Sequence, residues 1–225
     1  AYYIKHKIFH PKTNITMLTV KSMIYRYLVP IFSILIFGLI YLSSHATQST
    51  WTYFTMLQFG WNEAMVGISL GVVGVSVFIV QGGLTRVIIP KIGEVKSVYF
   101  GLLMYCLGFL GFAFAPSGLI LMFMIAPFCL GGLATPSLQG IISNKVPDDQ
   151  QGELQGALTS LISFTAIFGP PMMTGLFGYF TSDSAPFELP GAAFVTASIL
   201  ILLSIILAVK FLRKSDSSAD NTTST

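Results

Sequence analysis

Gln81-Gly82-Gly83-Leu84-Thr85-Arg86-Val87-Ile88-Ile89-Pro90-Lys91-Ile92-Gly93-Glu94 lies between two long apolar runs and decides the fold. It carries Arg86 and Lys91, with Lys96 just beyond. Working outward, the other basic residues occupy only alternate connections. One end holds Lys5, Lys7, Lys12, Lys21 and Arg26; a later connection holds Lys145; the other end holds Lys210, Arg213 and Lys214. The connections around 58–63, 115–118 and 181–190 hold none. Basic residues stay on the cytoplasmic side when a membrane protein inserts. All 12 therefore predict one topology: six spans with both termini cytoplasmic. An even number of spans with cytoplasmic ends is a transporter-like plan.

Composition agrees. Charged residues are 9% of the 225 and apolar residues 53%, against roughly 25% charged in a soluble domain. Mean hydropathy is +0.76. Such a surface would aggregate in water, so lipid is expected to cover much of it. The net charge of +3 is spent on topology. No basic groove with interleaved aromatics is present, which excludes nucleic acid as a partner. Cys106 and Cys129 fall in apolar runs without metal or redox spacing and read as inert buried thiols. No metal site or cofactor is expected. The chain starts at Ala1-Tyr2-Tyr3 without a signal peptide and reads as a fragment or the later part of a longer protein.

Apolar runs of about 20 residues place the spans at 25–54, 64–88, 98–115, 119–142, 154–180 and 192–209. The runs are continuous rather than alternating, which favours helices over a barrel. The fold class is therefore an all-α membrane protein. Pro30, Pro127, Pro136, Pro170 and Pro171 fall inside spans and predict bends. Gly67 and Gly71, and Gly152 and Gly156, stand one turn apart and would let helices approach closely. The first three spans run inside to outside and the last three outside to inside. That is the arrangement of two inverted three-helix repeats.

Few residues carry chemistry. No acid or base lies mid-span, and His45 is the only titratable candidate, in the outer half of the first span. It reads either as a group that changes protonation at physiological pH or as an interfacial polar residue. His45, Gln48 and Trp51 share a helical stripe. The stripe reads either as a cavity wall for amphipathic ligands or as a helix end leaving the bilayer, with Trp51 in the aromatic belt. Gln81, Gln139 and Gln155 are lone amides in or near spans, each interhelical glue or a cavity donor. No nucleophile elbow, phosphate-binding loop or carboxylate pair appears, so no catalytic residue and no enzyme activity is expected. Glu153 suits the first turn of its helix.

Two stretches resemble a known family. Gln81 to Glu94 is similar to the loop between helices eight and nine of the major facilitator superfamily, in its tetracycline-resistance efflux branch. Pro136-Ser137-Leu138-Gln139-Gly140, then Val146-Pro147-Asp148-Asp149-Gln150-Gln151-Gly152-Glu153-Leu154-Gln155-Gly156, then Phe168-Gly169-Pro170, resembles its helix ten to eleven region. Leu189-Pro190-Gly191-Ala192-Ala193-Phe194 also fits. The likeness covers most of 25–214.

The resemblance implies the C-terminal six-helix half of a twelve-helix carrier. Residues 1–24 would end the central cytoplasmic connection, 25–210 form the half-domain, and 211–225 a disordered cytoplasmic tail. Arg86, Gly93 and Lys96 would belong to a conformational latch, and Gly169 and Pro170 to a kink. His45 falls where relatives carry a cavity-facing glutamine, and Gln81 matches a family glutamine. At Val77 the chain departs: some tetracycline pumps carry there a histidine linked to proton coupling. The implied function is proton-coupled efflux of small amphipathic drugs by alternating access, in a bacterial inner membrane. The implied partners are a small-molecule substrate, protons, the lipid bilayer and an N-terminal six-helix half. The alternatives are a non-transporting split, decayed or receptor-like half-carrier, a homodimer of this half, and a nutrient uptake carrier.

Overall fold

The computed structural model describes residues 17–212, with side chains from residue 29. The basic cluster Lys5 to Arg26, with Arg213 and Lys214, lies outside the described side chains, as does most of the expected connector and tail. Among the described residues there is no strand. Eight α-helices follow one another: α1 (Met17–Phe59), α2 (Glu63–Ile79), α3 (Thr85–Ile92), α4 (Glu94–Ala113), α5 (Gly118–Gly131), α6 (Ala134–Ser143), α7 (Gln151–Phe180) and α8 (Ala192–Phe211). They form six segments long and apolar enough to cross a membrane: Val29–Phe59, Glu63–Ile92, Glu94–Ala113, Gly118–Ser143, Asp148–Phe180 and Ala192–Phe211. The protein is an integral, multi-pass membrane protein.

The ends and breaks follow from local chemistry. Asn62 caps α2 by accepting from the Met65 N–H at 2.9 Å, and Ser117 caps α5 through the Ile120 N–H. α3 ends at Gly93, whose φ of 85° is left-handed and suits only glycine. The second span is continuous but not regular. A π-turn at Val80–Leu84 joins α2 to α3, where the Thr85 N–H reaches back to Val80 O. The fourth span breaks at Gly132 and Leu133. Pro136 explains this, because it lacks an N–H and its ring crowds the carbonyl four residues back, Gly132 O. Pro30, Pro127, Pro170 and Pro171 lie inside helices that continue through them.

The packing gives the architecture. α1 lies against α8, α7 and α6; α4 lies against α5, α8 and α6; α2 rests on α5, and α3 on α4. Exchanging the first, second and third spans with the fourth, fifth and sixth maps this set of neighbours onto itself. First-on-fifth becomes fourth-on-second, and first-on-sixth becomes fourth-on-third. Such exchange symmetry is what two inverted three-helix repeats require. Helices α4 and α5 touch at backbone distance: a Cβ placed on Gly108 would lie 2.7 Å from Phe128 Cα. Phe109, Phe112 and Tyr105 then close around the Phe128 ring, their centroids 5.3–5.5 Å from its own along that seam. All described Lys and Arg gather at one end, where the close approach of Asn144 Nδ2 to Glu94 Oε1, 3.3 Å, ties the end of α6 to the start of α4. We call this the basic end. The second and fifth spans stand apart from the rest: in their most apolar 18-residue stretch 17% of residues are buried, against 44% in the other four.

Candidate functional site

A cavity of about 370 Å³ lies between the first, second, third and fourth spans. α1 contributes Ile40, Tyr41 and Ser44, the second span Gln81 and Thr85, α4 Tyr105, and α6 Thr135, Pro136 and Gln139. The irregular backbone builds this wall. Gln81 sits within the π-turn, and Thr85 Oγ1 donates to Val80 O at 2.9 Å across it. Thr135, Pro136 and Gln139 start the short helix that follows the break in the fourth span. The Ser44 hydroxyl donates to Tyr41 O at 2.7 Å and accepts from Gln48 Nε2 at 3.2 Å. Two carboxamides, two phenols and two more hydroxyls beyond Ser44's neighbourhood thus face one space that holds no Asp, Glu, Lys or Arg. The arrangement suits hydrogen bonding to a ligand.

The residues singled out from the sequence separate. Gln81 and Gln139 meet in the cavity. The stripe of His45, Gln48 and Trp51 does not act as one wall. Gln48 is exposed and reaches the cavity only through Ser44. Trp51 is buried in the core, where its indole N–H donates to Ser69 Oγ at 2.9 Å and its ring meets Phe112 edge-on. Gln155 is exposed near the basic end of α7, away from the cavity. His45 faces α7, and a Cβ built on Gly169 would overlap its imidazole. Gly169 is therefore a contact glycine, with Pro170 in the next position of the same helix. Arg86 and Lys96 are exposed on either side of the Gly93 turn at the basic end. Val77 is partly buried and packs on the apolar core.

Tyr41, Ser44, Thr85, Tyr105 and Thr135 complete the wall without having been singled out as cavity candidates. Tyr41 precedes His45 by one turn, so its polar edge was legible. Tyr105 and Thr135 gave no signal, because only the packing of α4 on α6 brings them to the same place. A second, apolar groove of about 330 Å³ separates α1 from α7 below His45, with Gly38, Leu42, Leu161, Phe164 and Thr165 in its walls.

A six-span bundle of inverted repeats around a polar, charge-free cavity belongs to the class of multi-pass carriers built from such repeats. Residues 33–225 match the Major Facilitator Superfamily, and the chain belongs to that family. It is similar to the class C tetracycline resistance protein of Escherichia coli, 32% identical over 142 residues, 63% of this chain and 36% of that protein. The class G protein of Vibrio anguillarum is 34% identical over 142 residues, again 63% and 36%. The class H protein of Pasteurella multocida is 31% identical over 169 residues, 74% of this chain and 40% of its own length. The chain thus matches little more than a third of the length of these relatives.

Proposed function

We propose that the chain supplies one six-helix half of a secondary carrier, not an enzyme, that exports small amphipathic compounds by alternating access with protons as the coupling ion. The charge-free polar cavity carries the reading. Its volume of about 370 Å³ lies within the usual range of small-molecule sites, about 300–1,000 Å³. Its hydroxyls and amides suit a ligand held by hydrogen bonds. The names of the relatives, tetracycline resistance proteins, support a drug as the compound carried.

The two thinly buried spans support a second half. The fifth span exposes Ser160, Ser163 and Thr174, each bonded to its own helix backbone, beside Phe164, Ile167 and Phe168. A mixed polar and apolar face suits a partner helix and a shared aqueous path better than lipid alone. In this reading the basic end is cytoplasmic, in a bacterial inner membrane. Residues 1–24 end the connection from the other half, 25–210 form this half, and 211–225 are a tail. Arg86, Gly93 and Lys96 form the latch that the halves make and break at the cytoplasmic face. Gln81 and Gln139 hold substrate, and the tight contact at Gly169, followed by Pro170, is where α7 bends.

The test is export. The complete reading frame is expressed, everted vesicles are energised with a proton gradient, and uptake of tetracycline and several other amphipathic drugs is followed. Uptake that collapses with a protonophore is expected. Absence of gradient-driven uptake for every drug class removes the efflux reading.

A further inference from the structure

We propose that His45 is a proton-binding site of this chain and that proton uptake opens the seam between α1 and α7. Its role in coupling rests on the carrier reading, but the geometry stands without it. His45 is only 7% exposed, and Nε2 has no hydrogen-bond partner among the described residues. The backbone of Gly169 lies against the ring, with no room for even a methyl group. Below, the seam is the apolar groove of Gly38, Leu42, Leu161 and Phe164. Its one hydroxyl, Thr165 Oγ1, donates to Ile162 O on its own helix at 2.8 Å.

A neutral imidazole fits this place at the cost of one unpartnered nitrogen. An imidazolium has two N–H donors and a charge, and the closed seam offers it no counter-ion. No Asp, Glu, Lys or Arg lies within 29–59 of α1, 134–143 of α6, 154–180 of α7 or 192–209 of α8. Glu63 begins α2, and Glu153 and Lys210 sit at the basic end. On α1 itself, Tyr41 lines the other cavity and Tyr53 meets Phe177 of α7 farther along. The closed seam therefore disfavours the proton, and an open, hydrated seam accepts it. By reciprocity the proton favours the open seam to the same degree. As pH falls through the imidazole range, α7 is expected to part from α1.

A thiol in the groove reads this directly. Thr165→Cys is made in a Cys106→Ala, Cys129→Ala background, reconstituted in lipid vesicles and labelled with a water-soluble thiosulfonate. The rate is divided by that of Gln58→Cys, an exposed position, to cancel the reagent's own pH dependence. The ratio is expected to rise by about 5-fold or more between roughly pH 8 and 5.5, within the ordinary range of site-to-site coupling. His45→Gln is expected to abolish the rise. A flat ratio in the His45 chain, or an identical rise in His45→Gln, overturns the proposal. Should His45→Gln fail to fold, a flat ratio in the His45 chain still overturns the proposal, and Gly169→Ala takes the place of the control: a rise with pH that persists in it overturns the proposal as well. Gly169→Ala, which forces the ring out of the seam, is then expected to label fast at every pH. A rising ratio without drug export leaves the proton site standing and removes the efflux reading; export with a flat ratio does the reverse.

Discussion

Gly108→Ala is the sharpest test of the packing. A methyl group at Gly108 would lie 2.7 Å from Phe128 Cα and Cβ and 2.9 Å from its backbone N. These are backbone and near-backbone atoms that no rotamer change removes. Ordinary contact begins at 3.4 Å, so α4 and α5 must part by about 0.7 Å. A gap of that size forfeits a quarter to a half of each dispersion contact along the seam. The Phe109, Phe112 and Tyr105 contacts with Phe128 are all on it. Overpacking of this kind costs about 1–3 kcal/mol. The matched control is Gly175→Ala, where a Cβ meets nothing within 4 Å. There alanine gains up to about 1 kcal/mol of helix propensity. The same propensity gain acts at Gly108 and cancels, so the two variants are expected to differ by the overpacking cost of about 1–3 kcal/mol, measured as reversible unfolding in mixed micelles with increasing denaturing detergent. Equal midpoints and slopes for the two variants would refute the close seam.

Three further outcomes follow from the same contacts. Gln81→Leu and Gln139→Leu should each weaken binding of a transported compound by about 1–3 kcal/mol, because each strands a polar ligand group in the cavity. Equilibrium binding to the reconstituted carrier checks this, and unchanged affinity in both removes the cavity from the site. Trp51→Phe keeps an aromatic face but removes part of the indole and its 2.9 Å bond to Ser69; a loss of at least about 1 kcal/mol is expected in thermal unfolding, and an unshifted curve would place Trp51 outside the core. Gly93→Ala must adopt φ of 85° with a Cβ, a strain of about 1–2 kcal/mol, so proteolysis at the α3–α4 turn should speed up, and an unchanged cleavage rate would contradict the left-handed turn.

Much of the fold was legible because it is written in long-range charge and hydropathy. The empty connections and the basic ones alternate, and six spans follow. The span edges shifted where local chemistry outweighed hydropathy: α4 begins at Glu94 rather than 98 because the glycine turn, not the apolar run, starts it. Pro136 was read as a bend inside a span, and the structure shows a break before it. The site was less legible. Gln81 and Gln139 were visible as amides out of place in apolar runs. Tyr105 and Thr135 look like ordinary span residues until α4 and α6 pack. The His45 stripe misled because a helical face says which residues share a side, not which neighbour covers them. Gln48 remains open, Trp51 is sealed by Ser69 and Phe112, and His45 is sealed by Gly169. The π-turn had a cue in Gly82-Gly83, but paired glycines in a membrane helix have many causes.

The exchange of neighbours between the repeats bears on how the protein is made. The first three spans barely touch one another, and the last three touch little more; the large contacts run between the two sets. A ribosome that has delivered only α1 to α4 has delivered helices that make few contacts with one another. The third span waits for α5, and the first waits for α7 and α8. During that interval the insertion machinery or the lipid must shelter Gly101, Gly108 and Gly111, whose seam has no second side yet. Assembly of these six spans is then late: the seam of α4 closes when α5 enters, and the first span is fully packed only when α7 and α8 have followed.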